Sequence, residues 1–473
     1  MLQTDVAVVG AGPAGLAAAA AASSAGARVV LVDRYARPGG QYFIQPPSGC
    51  RASGRPDWGQ NEDRGRQLLA AIENGNVTLL ADTTVFASDQ DQTLHLASPD
   101  RSLSLQPRKV VLATGAYERV IPFPGWTLPG VFTAGAMQSL VKTQRVLPAR
   151  RVVVAGSGPL LYAVASTLVD AGAQVVALVE AGRWSDIFSH LPTLARNWSL
   201  SMTGARYLVH LRRAGVPMLM RHAVLRAGGD GQLERVTVGP LDHKWSPTAG
   251  AQRRFEADAL CLNYGFLPST DLPRMLGCEM QYRPALGGYV PVCNQAMETS
   301  VSGVFVAGEA AGIGGAAVAM VQGEIAGLAA ARQLGLVPER KAEARLAKLR
   351  NQLARLSSFR DAMSQVFGLR PGILDLTADD TIVCRCEEVT KAEIRRAALE
   401  SRPSLREVKY RAWSGMGPCQ GRFCAEVVQR IVAEVHGVAV EQVELPRVRP
   451  PVGTVSVAAL LTEEEEVLTG GKQ

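Results

Sequence analysis

Gly10-Ala11-Gly12-Pro13-Ala14-Gly15 follows the apolar run Asp5-Val6-Ala7-Val8-Val9 and opens an Ala-rich stretch that reaches about Ala25. A second apolar run, Arg28-Val29-Val30-Leu31-Val32, ends at Asp33. Strand, glycine turn, helix and a second strand ending in a carboxylate make the dinucleotide-binding βαβ unit. Gly10 makes the tight turn, Gly12 lets the backbone approach a pyrophosphate, and Gly15 allows close packing of helix on strand. The helix N-terminus faces the phosphates, and Asp33 is placed to accept a ribose hydroxyl. Gly10, Gly12, Pro13, Ala14, Gly15, Asp33 and Arg34 are therefore candidate nucleotide contacts.

A second unit of the same kind begins after Arg151. Val152-Val153-Val154-Ala155 runs into Gly156-Ser157-Gly158-Pro159-Leu160-Leu161, and Gln174-Val175-Val176-Ala177-Leu178-Val179 ends at Glu180. The first two glycines are kept. Leu161 stands where the third belongs and is expected to oppose close packing of helix on strand. A Rossmann fold is expected here, with nucleotide binding in question.

Two further segments join these units. Val110-Val111-Leu112-Ala113-Thr114-Gly115 resembles the ATG strand of flavoproteins with two dinucleotide domains. Ser302-Gly303-Val304-Phe305-Val306-Ala307-Gly308-Glu309 resembles their C-terminal flavin motif, which usually carries Asp where Glu309 stands. The resemblance implies FAD. It implies Thr114, Gly115, Gly308 and Glu309 as contacts, together with Gly40 and Gln41 from the loop Pro38-Gly39-Gly40-Gln41. The FAD domain is then discontinuous, with the second Rossmann unit inserted in it.

The strongest metal signal lies near the C-terminus. Cys384-Arg385-Cys386 is followed, after 32 intervening residues, by Cys419-Gln420-Gly421-Arg422-Phe423-Cys424. Two pairs of thiolates supply the two ligands that each iron of a [2Fe–2S] cluster requires. Ser414-Gly415-Met416-Gly417-Pro418 precedes the second pair and lets backbone N–H groups turn toward cluster sulfurs. A closed tetrahedral zinc site is the rival, but CxC is an unusual zinc pair and CxxxxC is long for one. The quartet resembles the [2Fe–2S] domain of bacterioferritin-associated ferredoxin. Thr390-Lys391-Ala392-Glu393 is a capping-box pattern opening a short helix, and a second helix is expected from about Gly421, with Cys424 in its first turn.

Other classes of function find little support. The 473 residues carry a net charge of +7 with basic residues spread along the chain, and aromatics are only 5%, which argues against a nucleic-acid stripe. Cys50, Cys261, Cys278 and Cys293 are scattered, which argues against a disulfide framework and for a reducing, cytoplasmic setting. The apolar stretch from Val6 to Val32 is broken by glycines, Pro13 and Ser23-Ser24, so no membrane span is expected, leaving peripheral association open. His95, His190, His210, His222, His243 and His436 form no metal or nucleophile–base pattern, and no catalytic residue is assigned. No redox-active CxxC or CxxxxC stands where disulfide reductases of this architecture carry one.

Phe123-Pro124-Gly125-Trp126-Thr127-Leu128-Pro129-Gly130-Val131, Leu262-Asn263-Tyr264-Gly265-Phe266-Leu267-Pro268-Ser269 and Ala307-Gly308-Glu309-Ala310-Ala311-Gly312-Ile313 carry a closer resemblance. The chain resembles the A subunits of opine oxidases, the B subunit of hydrogen cyanide synthase and the α subunits of hydroxyproline dehydrogenases, over about residues 1–455. Part of the sarcosine oxidase α subunit is similar too. The resemblance implies an α/β fold of two Rossmann-like units, one inserted in the other, with a small helical [2Fe–2S] domain. It implies an FAD-dependent, D-amino-acid-dehydrogenase-like partner that oxidises a C–N bond, a small plant-type [2Fe–2S] subunit, and FMN at the subunit interface. The expected division is an FAD domain at 1–118 and 285–335, an inserted domain at 119–284, a helical linker at 336–378, the cluster domain at 379–445 and a tail at 446–473. Leu346, Leu349, Leu353, Leu356, Phe359 and Met363 recur at helical steps along the linker. The acidic run Glu463 to Glu466 reads as a solvated end. The expected role is electron transfer within an opine or amino-acid dehydrogenase, with a free-standing NAD(P)H-dependent reductase as the alternative.

Overall fold

The computed structural model describes residues 1–45 and 62–462; Cys50 and Glu463 to Glu466 lie outside them. The chain divides into two compact units, Met1–Ala116 with Leu267–Arg360 and Val448–Gln473, and Tyr117–Phe266 with Asp361–Arg447.

The first unit is built on one sheet. Leu2–Val9 lies between Val29–Val32 and Ser102–Leu112, parallel to both, and Val77–Leu80 extends the sheet beyond Val29–Val32. Val304–Val306 pairs in parallel with the end of Ser102–Leu112, while Leu94–Ala97 and Thr84–Ser88 fold onto its start as an antiparallel ribbon. Val6 to Val9 and Val29 to Val32 are buried throughout, as expected of parallel strands covered on both faces. Helix Pro13–Ser24 packs against helix Ala316–Gln333 at backbone distance. A Cβ on Gly323 would stand 2.0 Å from the Ala14 carbonyl oxygen, and one on Gly327 2.2 Å from that of Ala18. Only glycine permits this approach, so the Ala-rich face of the first helix and the Gly-x-x-x-Gly of the other define each other.

The described part of the stretch expected as a tail, 446–462, is hydrogen-bonded to the first unit. Val452 N–H donates to the Phe86 carbonyl and Ser102 N–H to the Thr462 carbonyl, so it returns to the first unit and packs there. Most of the stretch expected as a helical linker is indeed helix, and its first part packs on the first unit. Helix Glu339–Phe367 buries Leu346 and Leu349 in the first unit's core and packs Leu353 and Leu356 against it.

The second unit holds the inserted Rossmann sheet. Its strands run in the order Met218–Met220, Gln174–Glu180, Arg151–Gly156, Ala259–Asn263 and Val131–Thr133, all parallel. An antiparallel sheet of His222–Gly228, Arg235–Pro240 and Arg253–Glu256 accompanies it. Leu161 does not keep helix Pro159–Asp170 off the sheet. Its side chain is fully buried and shares a core with Val152, Val154 and Val164.

Within the same unit, helices Lys391–Leu399, Leu405–Ala412 and Ala425–His436 form a small bundle around Ile394, Val408, Ile431 and Val432. The capping box of Thr390 and Glu393 is formed in both directions. The last helix starts at Ala425, later than expected, and Cys424 is its N-cap rather than part of its first turn. Leu405–Ala412 is a helix beyond those expected, although Ser404-Leu405-Arg406-Glu407 has the start signal: the Ser404 hydroxyl accepts from Glu407 N–H.

Candidate functional site

In the first unit the candidate nucleotide residues meet at the carboxyl ends of the parallel strands. Gly15 backs directly onto Gly10: a Cβ there would lie 1.7 Å from the Gly10 carbonyl oxygen. The loop carrying Gly39 and Gly40 closes over the turn, with Gly39 N–H donating to the Ala11 carbonyl at 2.8 Å. A Cβ on Gly40 would stand 2.7 Å from the Gly12 Cα. A Cβ on Gly12 itself would meet nothing nearer than the Gly40 Cα at 3.9 Å, so the space it faces is open. A glycine kept beside open space, at the start of a helix, fits a site that admits a pyrophosphate.

Asp33 stands at the strand end, 6% exposed, and accepts from the N–H groups of Ala11 and Tyr35. Burial raises its carboxyl above the usual range, against these hydrogen bonds and the charge of Arg34. Arg34 and Gln41 converge on the Tyr35 hydroxyl at 2.9 and 3.0 Å. Tyr35 therefore joins the candidate set; the sequence held no motif for it.

The remaining flavin-motif residues are fixed by their own partners. Thr114 Oγ1 donates to the Ser269 carbonyl, and Ser269 N–H to the Gly115 carbonyl, both at 3.0 Å. Gly308 adopts φ +74° and its N–H donates to the buried Gln322 side chain at 3.0 Å. A Cβ on Gly308 would lie 2.7 Å from that of Ala14, so this motif reaches the first cradle. The Glu309 carboxylate turns back to accept from Gly315 N–H at 2.6 Å, at the start of helix Ala316–Gln333. Burial raises its carboxyl despite the N–H groups of Gly315 and Gly314.

The second cradle is arranged differently. Glu180 is fully buried and accepts from Gly158 N–H at 3.2 Å and Gly182 N–H at 2.9 Å. Burial pushes its carboxyl up to about 7, against those two hydrogen bonds and those of Ser157 and Tyr162. Ser157 Oγ donates to the Phe367 carbonyl, at the end of the long helix. The carboxylate that reads as a ribose acceptor is thus turned onto the glycine loop. By contrast, among the described residues the Gly12 N–H has no such partner.

The four cysteines come together in the second unit. Cys384 is the hydrogen-bonding neighbour of Cys424, and Cys386 of Cys419. The Cys424 thiol, together with the N–H groups of Gly415, Glu387 and Cys386, outweighs burial and brings Cys384 down to about 5. Gly415 N–H lies 3.5 Å from the Cys384 sulfur. Gly417 is pressed on Cys386, since a Cβ would lie 2.3 Å from that of Cys386. Among the described residues, no three His, Cys, Asp or Glu side chains enclose a single ion. Four sulfurs in two adjacent couples, with N–H groups directed at them, fit a two-iron cluster.

The cluster domain is tied to the inserted domain by contacts that no local motif announces. Trp126 Nε1 donates to the Ile382 carbonyl at 2.6 Å, and Thr377 Oγ1 to the Pro122 carbonyl at 2.7 Å. Arg422, between Cys419 and Cys424, donates to the Tyr117 hydroxyl at 2.9 Å and to the Cys419 carbonyl at 3.3 Å. Arg119 Nε meets the Glu426 carboxylate at 2.7 Å. No helix among the described residues is long and apolar enough to cross a membrane. Cys261, Cys278 and Cys293 are free.

Comparison with known proteins agrees with this geometry. Residues 4–323 match the pyridine nucleotide-disulphide oxidoreductase family, and residues 382–434 match the BFD-like [2Fe-2S] binding domain. An opine oxidase of Rhizobium meliloti has an A subunit that is 34% identical over 96% of this chain and 87% of its own length. The HcnB subunit of hydrogen cyanide synthase from Pseudomonas aeruginosa is 34% identical over 88% of this chain and 90% of its own. Among solved structures, the L-proline dehydrogenase of P. horikoshii superposes with a TM-score of 0.70 at 20% identity, covering 97% of this chain and 79% of that one, a likeness of fold. The cofactors these domains imply are FAD and a [2Fe–2S] cluster. The chain belongs to the pyridine nucleotide-disulphide oxidoreductase family, among the relatives of HcnB and of the A subunits of opine oxidases, and carries a BFD-like [2Fe-2S] binding domain.

Proposed function

We propose that this chain is the electron-transfer subunit of a heteromeric dehydrogenase that oxidises the C–N bond of an opine or related amino or imino acid. Its relatives are subunits of opine oxidase, hydrogen cyanide synthase and sarcosine oxidase. The C–N bond is broken on a partner subunit, of the FAD-dependent D-amino-acid-dehydrogenase-like type. An interface FMN and a small plant-type [2Fe–2S] subunit complete the assembly, which works in the reducing cytoplasm.

The observation that carries this reading is the joining, in one chain, of an open dinucleotide cradle at Gly12 and a four-cysteine site. A flavin converts two-electron into one-electron transfer, and an iron–sulfur cluster carries single electrons. The protein's part is to hold and orient. Gly10, Gly12 and Gly15, with Gly40 over them, leave room for the pyrophosphate; Asp33 serves the ribose. Gly308 and the Thr114-Gly115 turn line the cradle further along. Cys384, Cys386, Cys419 and Cys424 hold the irons, with Gly415 N–H directed at a sulfur.

The test is anaerobic stopped-flow on the chain co-purified with its partner subunit, screened with opines, glycine and prolines. Flavin bleaching followed by reduction of an added dye supports the proposal. Substrate turnover by the isolated chain at the rate of the complex overturns it and moves the C–N chemistry into this sequence. The reductase alternative is weakened by Glu180, which holds the N–H of Gly158 in the second cradle.

A further inference from the structure

Cys278 and Cys293 belong to no motif of the sequence, yet the first unit sets them opposite one another. Strands Met280–Arg283 and Gly288–Pro291 pair antiparallel, with Tyr282 opposite Tyr289 and Met280 opposite Pro291. The pairing runs one step further, since Val292 N–H donates to the Glu279 carbonyl at 2.9 Å. The next facing residues are Cys278 and Cys293. Side chains alternate along a strand, and the rings of Tyr282 and Tyr289 meet on one face with centroids 5.1 Å apart. The two cysteines follow at even steps and share that face. Backbone bonding alternates too. Glu279 with Val292 is a bonded pair, so Cys278 with Cys293 is a non-bonded one, and Cys278 N–H turns away to the Pro273 carbonyl at 3.0 Å. Pairs of that kind hold their Cα atoms about 4.5 Å apart. A disulfide spans about 4.4 to 6.8 Å between Cα atoms.

The surroundings agree with this placement. Cys278 is buried, and Cys293, half-buried, packs against the core that holds it. Burial pushes the Cys293 thiol up to about 12, and the neighbouring Cys278 adds to the rise. Burial raises the Cys278 thiol as well, so both are protonated at neutral pH and slow to react. The pair stands at the base of a hairpin tied to the flavin motif. The Cys278 thiol donates to Thr299 Oγ1 at 3.4 Å, and Thr299 N–H donates to the Val304 carbonyl at 2.8 Å, on the strand that leads to Gly308. At the far end of the hairpin, Ile313 N–H donates to the Leu286 carbonyl at 2.9 Å, just beyond Glu309.

We infer that Cys278 and Cys293 are a thiol pair that closes reversibly into a cross-strand disulfide by exchange with a small-molecule disulfide. The half-buried Cys293 reacts first. Its sulfur attacks one sulfur of the small disulfide, that S–S bond breaks, and the departing thiolate takes the Cys293 proton. The Cys278 sulfur then attacks the Cys293 sulfur of the mixed disulfide, and the second small thiol leaves with the Cys278 proton. Two protein thiols are oxidised, and one small disulfide is reduced to two thiols. The second step is intramolecular, so the facing geometry favours it and Cys278 needs no exposure of its own.

The test incubates the purified full chain with oxidised glutathione, blocks the remaining thiols, and cleaves between the two cysteines at Tyr282 and Tyr289 with chymotrypsin before mass spectrometry. The expected result is a pair of peptides joined through Cys278 and Cys293 and released by dithiothreitol. In Cys293→Ser the joined peptides should be lost and Cys278 should remain a thiol, because the residue that reacts first is gone. Both thiols still free in the wild-type chain, or glutathione left on Cys293 without closure, overturns the inference. A link from either cysteine to Cys50 or to a second chain overturns it as well, by showing that the facing pair is not the reacting one.

Discussion

Arg119 and Glu426 form an ion pair at 2.7 Å with side chains 9% and 13% exposed, joining the start of the inserted domain to the first turn of the helix that Cys424 caps. Arg430 completes the set at 3.0 Å from the same carboxylate. Burial works to raise the Glu426 carboxyl, but the charges of Arg119 and Arg430 outweigh it and hold it below the usual range. The pair seats the cluster domain at the end that carries Cys419 and Cys424. Glu426→Gln leaves two guanidinium groups without a counter-charge and should destabilise the second unit by about 3 kcal/mol. The double variant Arg119→Met, Glu426→Leu should cost less than either single change, as read by chemical denaturation. Additive losses in the double variant would show that the two residues do not act as a pair.

The two glycines of the first turn should fail in different ways. Gly12→Val places its side chain in open space, so the fold should persist while bound flavin falls sharply; each roughly 1.4 kcal/mol lost is tenfold in affinity. Gly15→Val drives a Cβ into the Gly10 carbonyl oxygen and should give little folded protein. The checks are flavin absorbance per chain and circular dichroism. Full occupancy in Gly12→Val would remove the cradle from the site.

Cys419→Ser should abolish the visible bands and reduced-state EPR signal of the cluster while leaving flavin bound, because the cradle lies in the other compact unit. Metal analysis of anaerobically purified wild-type protein should give iron and sulfide. Stoichiometric zinc without either would replace the cluster by a closed tetrahedral site.

Glu180 makes stability depend on pH with a predictable sign. Its folded carboxyl titrates near 7 against an ordinary value of 4.5. The folded state therefore holds the proton more tightly than the unfolded chain. The resulting stabilisation is full below about pH 4.5 and is lost as pH rises toward 7, by up to about 3 kcal/mol. Glu180→Gln should lack this slope. Unfolding free energies of the two proteins between pH 5 and 8 decide it; parallel curves would show that Glu180 titrates normally.

NADH should leave the flavin oxidised under anaerobic mixing, because Glu180 occupies the Gly158 N–H and Ser157 is bonded to the Phe367 carbonyl. Rapid bleaching by NADH at micromolar concentration would reopen the second cradle.

Local chemistry made the two Rossmann units and the cysteine quartet readable. Gly10, Gly12 and Gly15 report a tight turn whose sterics act within a few residues, and Thr390 and Glu393 report a helix start. The paired spacing of Cys384, Cys386, Cys419 and Cys424 singles out by residue type alone the four sulfurs that the fold brings together. What only tertiary structure decided is where distant segments meet. Leu161 reads as a misfit on its own, yet the core around Val152 and Val164 has room for it. Glu180 has the position of a ribose acceptor, and only the fold turns it onto Gly158. Trp126 with Ile382, Arg119 with Glu426 and Val452 with Phe86 join residues hundreds of positions apart. Such pairs leave no periodicity or spacing in the chain, because their partners are chosen by packing of finished elements rather than by neighbouring residues.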